Sequence, residues 1–397
     1  MTTTYDYIII GGGITGSALS YELANLGSRV LLLEKETHPL NATFYSYGGL
    51  AYWSATTEIQ RKLYQEGREI QRNLSQELGI DNEYRDIELI LTVNPEDDPV
   101  AVAEKFAIFA ITPEILDPQA AIALEPLLNP AAISGVLRLP HGHINAEKTN
   151  LAYQQAFLRL GGKIIREAVI ELIETASRIT GVKTPKNNYH AGETIVCAGG
   201  LTRSLLQKSG IAAPVYFTHA QVIKIPPSEI KLNTLVMPAI AARLLLEQKI
   251  TQLEKQGIWQ RETPEIIASV LETGAVQFRD QSLYLGQISA IITDPGAILN
   301  PVAGEKAIRA AVGTLLPSLA ALPGSCHHCL VAFAPSGRPL VGAIADKVGL
   351  QVFSGFTSTL VSAPPLARRF ARHLLGENDE IITNLQKSRE KLTDGCN

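Results

Sequence analysis

Three glycines near the N-terminus constrain the fold more than any other feature of the sequence. Gly11, Gly13 and Gly16 have the spacing Gly-x-Gly-x-x-Gly and follow a short apolar run at residues 5–10. We predict that this run is a buried strand, that a helix follows the turn, and that a second buried strand ends at Glu34. In this order the first glycine permits a tight turn, the second lets backbone N–H groups approach a pyrophosphate, and the third lets the helix pack against the strand.

The same segment predicts how a dinucleotide would be bound. A helix N-terminus presents free N–H groups and partial positive charge to phosphates. Glu34 can accept hydrogen bonds from ribose hydroxyls, and its charge would repel a 2′-phosphate. The motif therefore indicates a Rossmann-like domain, but by itself it does not distinguish FAD from NAD.

Composition bounds the class of protein. The chain has 397 residues, of which 46% are hydrophobic and 19% charged, so we expect a folded protein with two domains. The formal charge of −4 argues against a nucleic-acid partner. Four cysteines are too few for a disulfide framework in a chain of this length. We also expect neither a targeting segment nor a membrane span. We therefore predict a cytoplasmic protein.

Strand and helix signals typical of the nucleotide domain occur at both ends of the chain and in its middle. We therefore predict two interleaved domains. The predicted cofactor domain comprises residues 1–84, 140–215 and 325–397. The predicted substrate domain comprises residues 85–139 and 216–324, and includes a helix-favouring stretch at 239–256 that would cap the site, form an oligomer interface or be a surface insertion.

Six stretches, taken together, resemble the D-amino-acid oxidase-like superfamily of FAD-dependent oxidoreductases, which includes glycine oxidase, sarcosine oxidase and L-2-hydroxyglutarate dehydrogenase. The stretches run in the order of that family over nearly the whole chain. They are residues 11–36, 41–50 with Gly48-Gly49, 115–126, the Gly142-His-Ile-Asn145 turn, 195–200 with Ala198-Gly199-Gly200, and 337–342 with Gly355-Phe356 and the final helix.

The resemblance implies an architecture that is both α/β and α+β: a Rossmann-like FAD-binding domain interleaved with an antiparallel-sheet substrate domain. It implies that a hydride passes from the amine-bearing carbon of an amino acid or secondary amine to flavin N5. O2 or another electron acceptor would then take the electrons. A homo-oligomer is compatible with the resemblance. One alternative is a 2-hydroxy-acid dehydrogenase, for which a base such as His is expected. Another is a flavin-binding protein with little turnover.

The resemblance and the glycine motif together assign the site residues. No metal is expected. The candidate catalytic residues are His143, His219 and Tyr47. The candidate FAD-binding residues are Gly11, Gly13, Ile14, Thr15, Gly16, Glu34, Lys35, Ser46, Gly48, Gly49, Leu50, Ala198, Gly199, Gly200, Cys329, Gly337, Arg338, Gly355, Thr357, Ser358, Thr359 and Leu360.

The sequence departs from the family at the substrate end. Val331 stands, by residue counting, where amino-acid oxidases carry an Arg for the substrate carboxylate, so either a carboxylate is bound elsewhere or the substrate lacks one. Side chains at 357–360 replace the family's glycines. His219-Ala-Gln replaces its Arg-Gly-Gln.

Cys326-His-His-Cys329 is open to several interpretations. Cys329 falls where sarcosine oxidase-like enzymes attach their flavin through a thioether, so covalent FAD is one hypothesis. A buried structural thiol, a zinc site and a redox pair are the alternatives. His141 and His143 are expected in a turn, either on the surface or near the flavin. Arg368, Arg369 and Arg372 are expected on the solvent-exposed face of the final helix.

Overall fold

The computed structural model of the chain describes residues 4–240, 242–253, 257–261, 263–344 and 347–393. The strands are β1 (Thr4–Ile10), β2 (Val30–Glu34), β3 (Gly49–Leu50), β4 (Arg85–Val93), β5 (Glu114–Leu116), β6 (Gly135–His143), β7 (Lys163–Arg166), β8 (Glu171–Thr175), β9 (Arg178–Lys183), β10 (Asn188–Val196), β11 (Tyr216–Ile225), β12 (Leu235–Pro238), β13 (Ile266–Gln277), β14 (Leu283–Ile292), β15 (Ser325–Phe333), β16 (Leu340–Ala343) and β17 (Leu350–Ser354).

The helices alternate with these strands. They are α1 (Ile14–Asn25), α2 (Glu58–Leu78), α3 (Pro99–Glu104), α4 (Pro118–Leu124), α5 (Ala146–Arg159), α6 (Thr202–Gln207), α7 (Ala242–Leu253), α8 (Pro301–Leu315), α9 (Pro317–Ala320), α10 (Thr359–Leu374) and α11 (Glu380–Thr393). None of these described helices combines the length and the apolar character that crossing a bilayer requires.

The first sheet has the strand order β16-β17-β10-β1-β2-β7, with the hairpin β8–β9 attached to β10. Strands β17, β10, β1, β2 and β7 run parallel, and β16 is antiparallel to β17. Because these strands come from both ends and the middle of the chain, the predicted interleaving is confirmed. Parallel strands bring their carboxyl ends to one edge, where ligands of such sheets bind.

Helices α1, α2, α5 and α10 pack together on one face of the first sheet. The Thr57 side chain accepts a hydrogen bond from the Gln60 N–H, and a capping box starts α2 as its sequence predicts. A side chain on Gly67 would clash with the Val361 carbonyl oxygen, so glycine at this position lets α2 approach α10.

The second sheet has the order β15-β11-β14-β13-β12-β4-β6-β3, with β5 paired to β6. Its pairs are antiparallel except for β12 with β4. One side of this sheet carries Leu89, Leu137, Ala220 and Cys329, and we call this side the inner face. The inner face packs against residues 42–53. The outer face packs against α8 and α9 and against α7.

Several boundaries differ from the prediction. β15 lies in the second sheet, although the predicted cofactor domain begins at residue 325, and β6 crosses the predicted boundary at 140. The His141-Gly142-His143 segment is the end of β6 and not a turn, because it pairs with β4 and β3.

The C-terminal helices also differ from the prediction. α10 begins at Thr359 and contains Pro364 and Pro365 in its interior. Pro364 has no N–H for the Leu360 carbonyl oxygen, which instead accepts a hydrogen bond from Gln71 of α2. Arg368 pairs with Glu22 and Glu77 and is not on a wet face.

Candidate functional site

The glycine turn joins β1 to α1. Gly11 has φ +110°, and a side chain there would lie 2.5 Å from the Cys197 carbonyl oxygen that follows β10. A side chain on Gly16 would clash with the Gly11 carbonyl oxygen. The turn is therefore as tight as the spacing predicts, and it lies at the carboxyl ends of β1 and β10.

Glu34 ends β2 directly beside this turn. Its carboxylate accepts the Gly12 N–H at 2.7 Å through one oxygen and the Glu36 N–H at 2.9 Å through the other. Two backbone donors thus stabilise the buried charge, and the remaining lone pairs can accept ribose hydroxyls. The neighbouring Lys35 instead forms an exposed ion pair with Glu36 at 3.4 Å.

Thr43 lies at the N-terminus of α1, although the sequence analysis did not name it. Its hydroxyl oxygen accepts the Ile14 N–H at 3.1 Å, and it would be 3.3 Å from a side chain at Gly13. Asn41 fixes this position because its side-chain oxygen accepts the Thr43 N–H at 3.0 Å. The Thr43 hydroxyl hydrogen can therefore be donated to a phosphate oxygen at this helix end. The Asn-x-Thr pattern soon after β2 is the sequence signal that could have identified it.

Helix α5 stabilises the glycine turn through hydrogen bonds. The Gly12 carbonyl oxygen accepts hydrogen bonds from Ser17 at 3.2 Å, from Asn150 at 3.0 Å and from Gln154 at 2.9 Å. Arg166 in turn donates to the Gln154 side-chain oxygen at 3.2 Å. These contacts fix Gly12, whose N–H binds Glu34. No local sequence pattern connects residues so far apart in the chain.

The other predicted cofactor residues extend along the same edge of the first sheet. Ala198, Gly199 and Gly200 follow β10, and a side chain on Gly200 would lie 2.6 Å from the Leu330 Cβ of β15. Gly355 follows β17 with φ +75°. Gly337 also has a positive φ, and a side chain there would lie 3.5 Å from the Thr357 hydroxyl oxygen, whereas Arg338 is exposed.

Side chains organise the segment that replaces the family's glycines. Ser358 adopts a left-handed conformation with φ +51°. Thr359 donates to the Phe356 carbonyl oxygen at 3.2 Å, and the Leu360 carbonyl oxygen accepts a hydrogen bond from Gln71 of α2 at 2.7 Å. The serine therefore adopts a backbone geometry that glycine would adopt without strain.

Residues 44–47 lie across the inner face of the second sheet. Tyr45 stacks on His327 with 4.8 Å between ring centroids, and its hydroxyl is 3.0 Å from the His327 Nδ1. Tyr47 donates to the Gly286 carbonyl oxygen at 2.6 Å. Burial raises the pKa of Tyr47 well above its ordinary value, so its hydroxyl is a hydrogen-bond donor and not a base.

Gly48 and Gly49 connect this segment to β6. Gly48 has φ +73°, and its N–H donates to the Ser46 hydroxyl oxygen at 3.2 Å. Gly49 pairs with His143, and a side chain on Gly49 would lie 2.6 Å from the His141 Nε2. Leu50 is fully buried and continues the pairing with β6. Larger residues at both glycine positions would displace this loop from the sheet.

The two histidines of β6 face inward beside these glycines. Both are buried, and burial lowers the pKa of each to about 3, with Arg85 adding to the effect at His143. Trp53 donates to the His141 Nδ1 at 3.0 Å, which places the proton of that ring on Nε2. Both imidazoles are therefore neutral near pH 7.

His219 lies on the outer face, away from His143 and Tyr47. Its Nδ1 is 2.8 Å from the His328 Nε2, and its Nε2 is 3.0 Å from the Asp294 carbonyl oxygen. Since that carbonyl can only accept, His219 donates to it and accepts from His328. The structure therefore does not bring the three predicted catalytic residues together.

The two cysteines of β15 point to opposite faces. Cys329 is buried on the inner face near Tyr45, and burial raises the pKa of its thiol to about 12. Cys326 lies on the outer face, 3.9 Å from the Gln221 side-chain nitrogen. This arrangement does not suit a redox pair. Across the described ranges, no group of three or more His, Cys, Asp or Glu side chains is arranged to hold a metal ion.

The features at the edge of the first sheet fit the ADP half of a dinucleotide. Glycine provides the close approach, α1 and Thr43 provide phosphate donors, and Glu34 provides ribose acceptors. The inner face of the second sheet lies beside the Gly48-Gly49 loop. A ring system that extends from the phosphates along residues 43–50 would therefore meet this face.

Two curated relatives match nearly the whole chain. 4-Methylaminobutanoate oxidase (formaldehyde-forming) of Paenarthrobacter nicotinovorans is 25% identical over 387 residues, which span 93% of this chain and 43% of that protein. An uncharacterized oxidoreductase of Bacillus subtilis, YurR, is 24% identical over 396 residues, which span 95% of this chain and 96% of that protein. The chain thus spans less than half of the first relative and nearly all of the second.

Solved structures share the fold. The glycine oxidase from Bacillus cereus superposes with a TM-score of 0.76 at 19% identity, and the match covers 95% of this chain and 96% of that chain. The model of a protein family described as FAD dependent oxidoreductase matches residues 6–373. The chain therefore belongs to this family of FAD-dependent oxidoreductases, and FAD is its cofactor.

Proposed function

We propose that the chain removes a hydride from the amine-bearing carbon of an amino acid or a secondary amine, and that O2 or another small acceptor takes the electrons. The observation that carries this proposal is that the Nδ1 of His141 and that of His143, beside Gly48-Gly49, each already accepts a hydrogen bond, from Trp53 and from Arg85. Two buried histidines with pKa values of about 3 are poor bases. An amine that binds in its neutral form needs no strong base, because its own lone pair drives the transfer, whereas a hydroxy acid does.

The names of the relatives agree with amine chemistry. One curated relative is an oxidase of 4-methylaminobutanoate, a secondary amine with a carboxylate, and one structural neighbour is a glycine oxidase. A 2-hydroxy-acid dehydrogenase is the weaker alternative, since the accepting nitrogens of the inner-face histidines are already occupied by Trp53 and Arg85, and His219 lies on the other side of the sheet.

Different residues of the chain would bind the different parts of the cofactor. When bound, FAD supplies the hydride acceptor at N5 of its ring system. Glu34 would bind the ribose, while Thr43 and the α1 N-terminus would bind the phosphates. The backbone of Ser46 to Leu50 would hold the ring edge, and the segments at 337–338 and 355–360 would close the opposite side.

The inner face has two further tasks. It holds the donor carbon next to the ring, and its aromatic side chains exclude water from the reacting atoms. Tyr45 and Tyr47 provide this wall and are fixed by hydrogen bonds to His327 and Gly286. Since Tyr47 is a protonated donor, its role would be positional.

Anaerobic reduction of the bound flavin tests the proposal. The panel comprises N-methylated amino acids, glycine, D- and L-amino acids, simple alkylamines and 2-hydroxy acids. We expect bleaching of the flavin absorbance by one or more amines and by no hydroxy acid. Reduction by hydroxy acids alone would contradict the proposal, and peroxide release in air would identify O2 as the acceptor.

One observation favours a second candidate function, flavin binding with little turnover. Phe44, Tyr45 and Tyr47 occupy the inner face, and the Phe44 carbonyl oxygen accepts a hydrogen bond from Tyr284 at 3.1 Å. A loop fastened in this way would limit the space for a substrate. If no member of the panel reduces the flavin, this second candidate replaces the first.

Covalent attachment of the flavin through Cys329 is a separate hypothesis. The thiol is buried on the inner face, where residues 44–47 lie. If the thioether forms, acid-precipitated protein stays yellow and the Cys329→Ser variant precipitates colourless. A colourless wild-type pellet would contradict the hypothesis.

A further inference from the structure

We propose that Arg85 binds the carboxylate of the substrate, an inference that rests on the proposed function and names its substrate class. Arg85 is the first residue of β4 and pairs across the sheet with His143, which pairs with Gly49. The guanidinium group therefore lies on the inner face, in the same row as the Gly48-Gly49 loop. No local motif in the sequence marks this arginine.

The partners of Arg85 are neutral. Its Nε lies 3.4 Å from the His143 Nδ1, and a terminal nitrogen donates to the Gln277 carbonyl oxygen. Among the residues that the structure describes, no carboxylate oxygen lies within 4 Å of Arg85, whereas nearby Arg279 pairs with Asp81 at 3.0 Å. Glu83 is the acid whose charge acts on Arg85, and its carboxylate is already paired with Lys148 at 2.6 Å. A half-buried cation without an acid of its own is costly unless an anion compensates it.

A second N–H donor lies beside it. Because Arg85 donates to the Nδ1 of His143, the proton of that neutral ring is on Nε2. This buried nitrogen would lie 3.0 Å from a side chain on Gly48, and the ring forms a hydrogen bond with the backbone of Tyr47. His143 therefore holds the Arg85 side chain in place beside the loop, and the charge of Arg85 is what an anionic ligand would compensate.

The charge of the inner face also favours an anion. Lys224 lies over the rings of Phe44 and Tyr284, at 4.6 and 5.8 Å from their centroids, and forms no ion pair with any described residue. Val331, on the strand at the far edge of the same face, supplies no charge. The guanidinium of Arg85 is the group on this face that can bind a carboxylate through two parallel hydrogen bonds.

The substrate class follows from this chemistry. The substrate would be a free or N-substituted amino acid, and a plain alkylamine would bind weakly. Its carboxylate would accept hydrogen bonds from the guanidinium group of Arg85, and its amine-bearing carbon would lie toward Gly48-Gly49. The hydrocarbon part would contact aromatic rings such as Phe278, which lies 5.1 Å from the His143 ring.

The test compares Arg85→Met and Arg85→Lys with Arg138→Met, a control that removes an arginine of β6 paired with Glu88 and Glu114. For the fastest amino acid of the panel and for its methyl ester, anaerobic flavin reduction gives the apparent Kd and the limiting rate. We expect Arg85→Met to raise the Kd of the acid about 10- to 100-fold and that of the ester less than about threefold. Arg85→Lys should fall between, and Arg138→Met should match the wild type.

Benzoate and benzamide provide a readout that does not require turnover. Calorimetric titration of the flavin-loaded protein should show benzoate binding that Arg85→Met weakens about 10- to 100-fold, with weak benzamide binding in both. Flavin content and thermal stability identify variants that fail to fold. Equal losses for acid and ester, or unchanged benzoate binding, would overturn the inference. If no amine reduces the wild-type flavin while benzoate binding depends on Arg85, the proposed function fails and the anion site stands.

Discussion

Glu34 is the residue on which cofactor affinity should depend most. Its carboxylate joins the glycine turn through Gly12 and is the predicted ribose acceptor. A hydrogen bond to a charged group contributes about 1.5–3 kcal/mol, so Glu34→Gln should raise the Kd for FAD about 10- to 100-fold. Titration of flavin-free protein with FAD measures this. Glu36→Gln, which alters an exposed ion pair, is the matched control and should leave the Kd unchanged.

The buried histidines of β6 make stability depend on pH. The pKa values of His141 and His143 are about 3 in the folded chain, against about 6.5 when unfolded. Between these values the unfolded chain binds more protons, so the free energy of unfolding falls with falling pH, by up to about 1.4 kcal/mol per unit for each histidine. Above pH 6.5 the contribution is constant. Urea unfolding at about pH 7, 6 and 5 measures the slope.

A variant tests whether His141 contributes to this pH dependence of the free energy of unfolding. His141→Asn removes one titrating group, so the pH dependence should become shallower by up to about 1.4 kcal/mol per unit, whatever the change in stability at pH 7. An unchanged slope in the variant would show that His141 is not held neutral in the fold.

At the residue scale, local patterns predicted the cofactor turn and missed the contacts made across the chain. Gly11 and Glu34 could be assigned because strand, turn and acid are near one another in sequence. Thr43, Arg85 and Gln154 gain their roles from partners on other elements, and no spacing rule reveals such partners.

At the element scale, Gly67 controls how closely α2 packs on α10. A methyl group there would clash with the Val361 carbonyl oxygen, so Gly67→Ala should lower the free energy of unfolding by about 1–3 kcal/mol. Because α10 begins within the segment proposed to contact the flavin, FAD affinity should fall as well.

A second helical glycine provides the control. A methyl group at Gly313 of α8 would meet only the Ala320 methyl, at 3.3 Å, so Gly313→Ala should change stability by less than about 1 kcal/mol. Urea unfolding compares the two variants. Similar losses in both would mean that the close approach of α2 and α10 does not decide the effect.

Capping is local, and Thr57 and Gln60 mark the start of α2 in this way. The end of β6 was predicted wrongly, since Gly142 suggested a turn while β4 pairs with both of its neighbours and β3 pairs with Gly142 and His143. Two of the three arginines of α10, Arg368 and Arg369, were also placed wrongly. Arg369 pairs with Glu66 at 2.6 Å, an acid far away in sequence, and such partners appear only in the folded chain.

At the scale of the whole molecule, two sheets meet at residues 41–50. The carboxyl ends of β1, β2, β10 and β17 form one side, and the inner face of the second sheet forms the other. Sequence predicted the two interleaved parts because strand signals recur along the chain. It could not predict that α7 packs on the outer face, where Trp259 lies 5.1 Å from the Tyr216 ring.

Equilibrium titration of the flavin-free, full-length chain with FAD tests most directly whether the glycine turn and Glu34 bind the cofactor. Quenching of flavin fluorescence gives the stoichiometry and the Kd, and circular dichroism confirms that the chain is folded. We expect one FAD per chain for the wild type and for Glu36→Gln, and a Kd about 10- to 100-fold higher for Glu34→Gln. A folded wild-type chain that takes up no FAD, or Glu34→Gln with unaltered affinity, would contradict this binding mode.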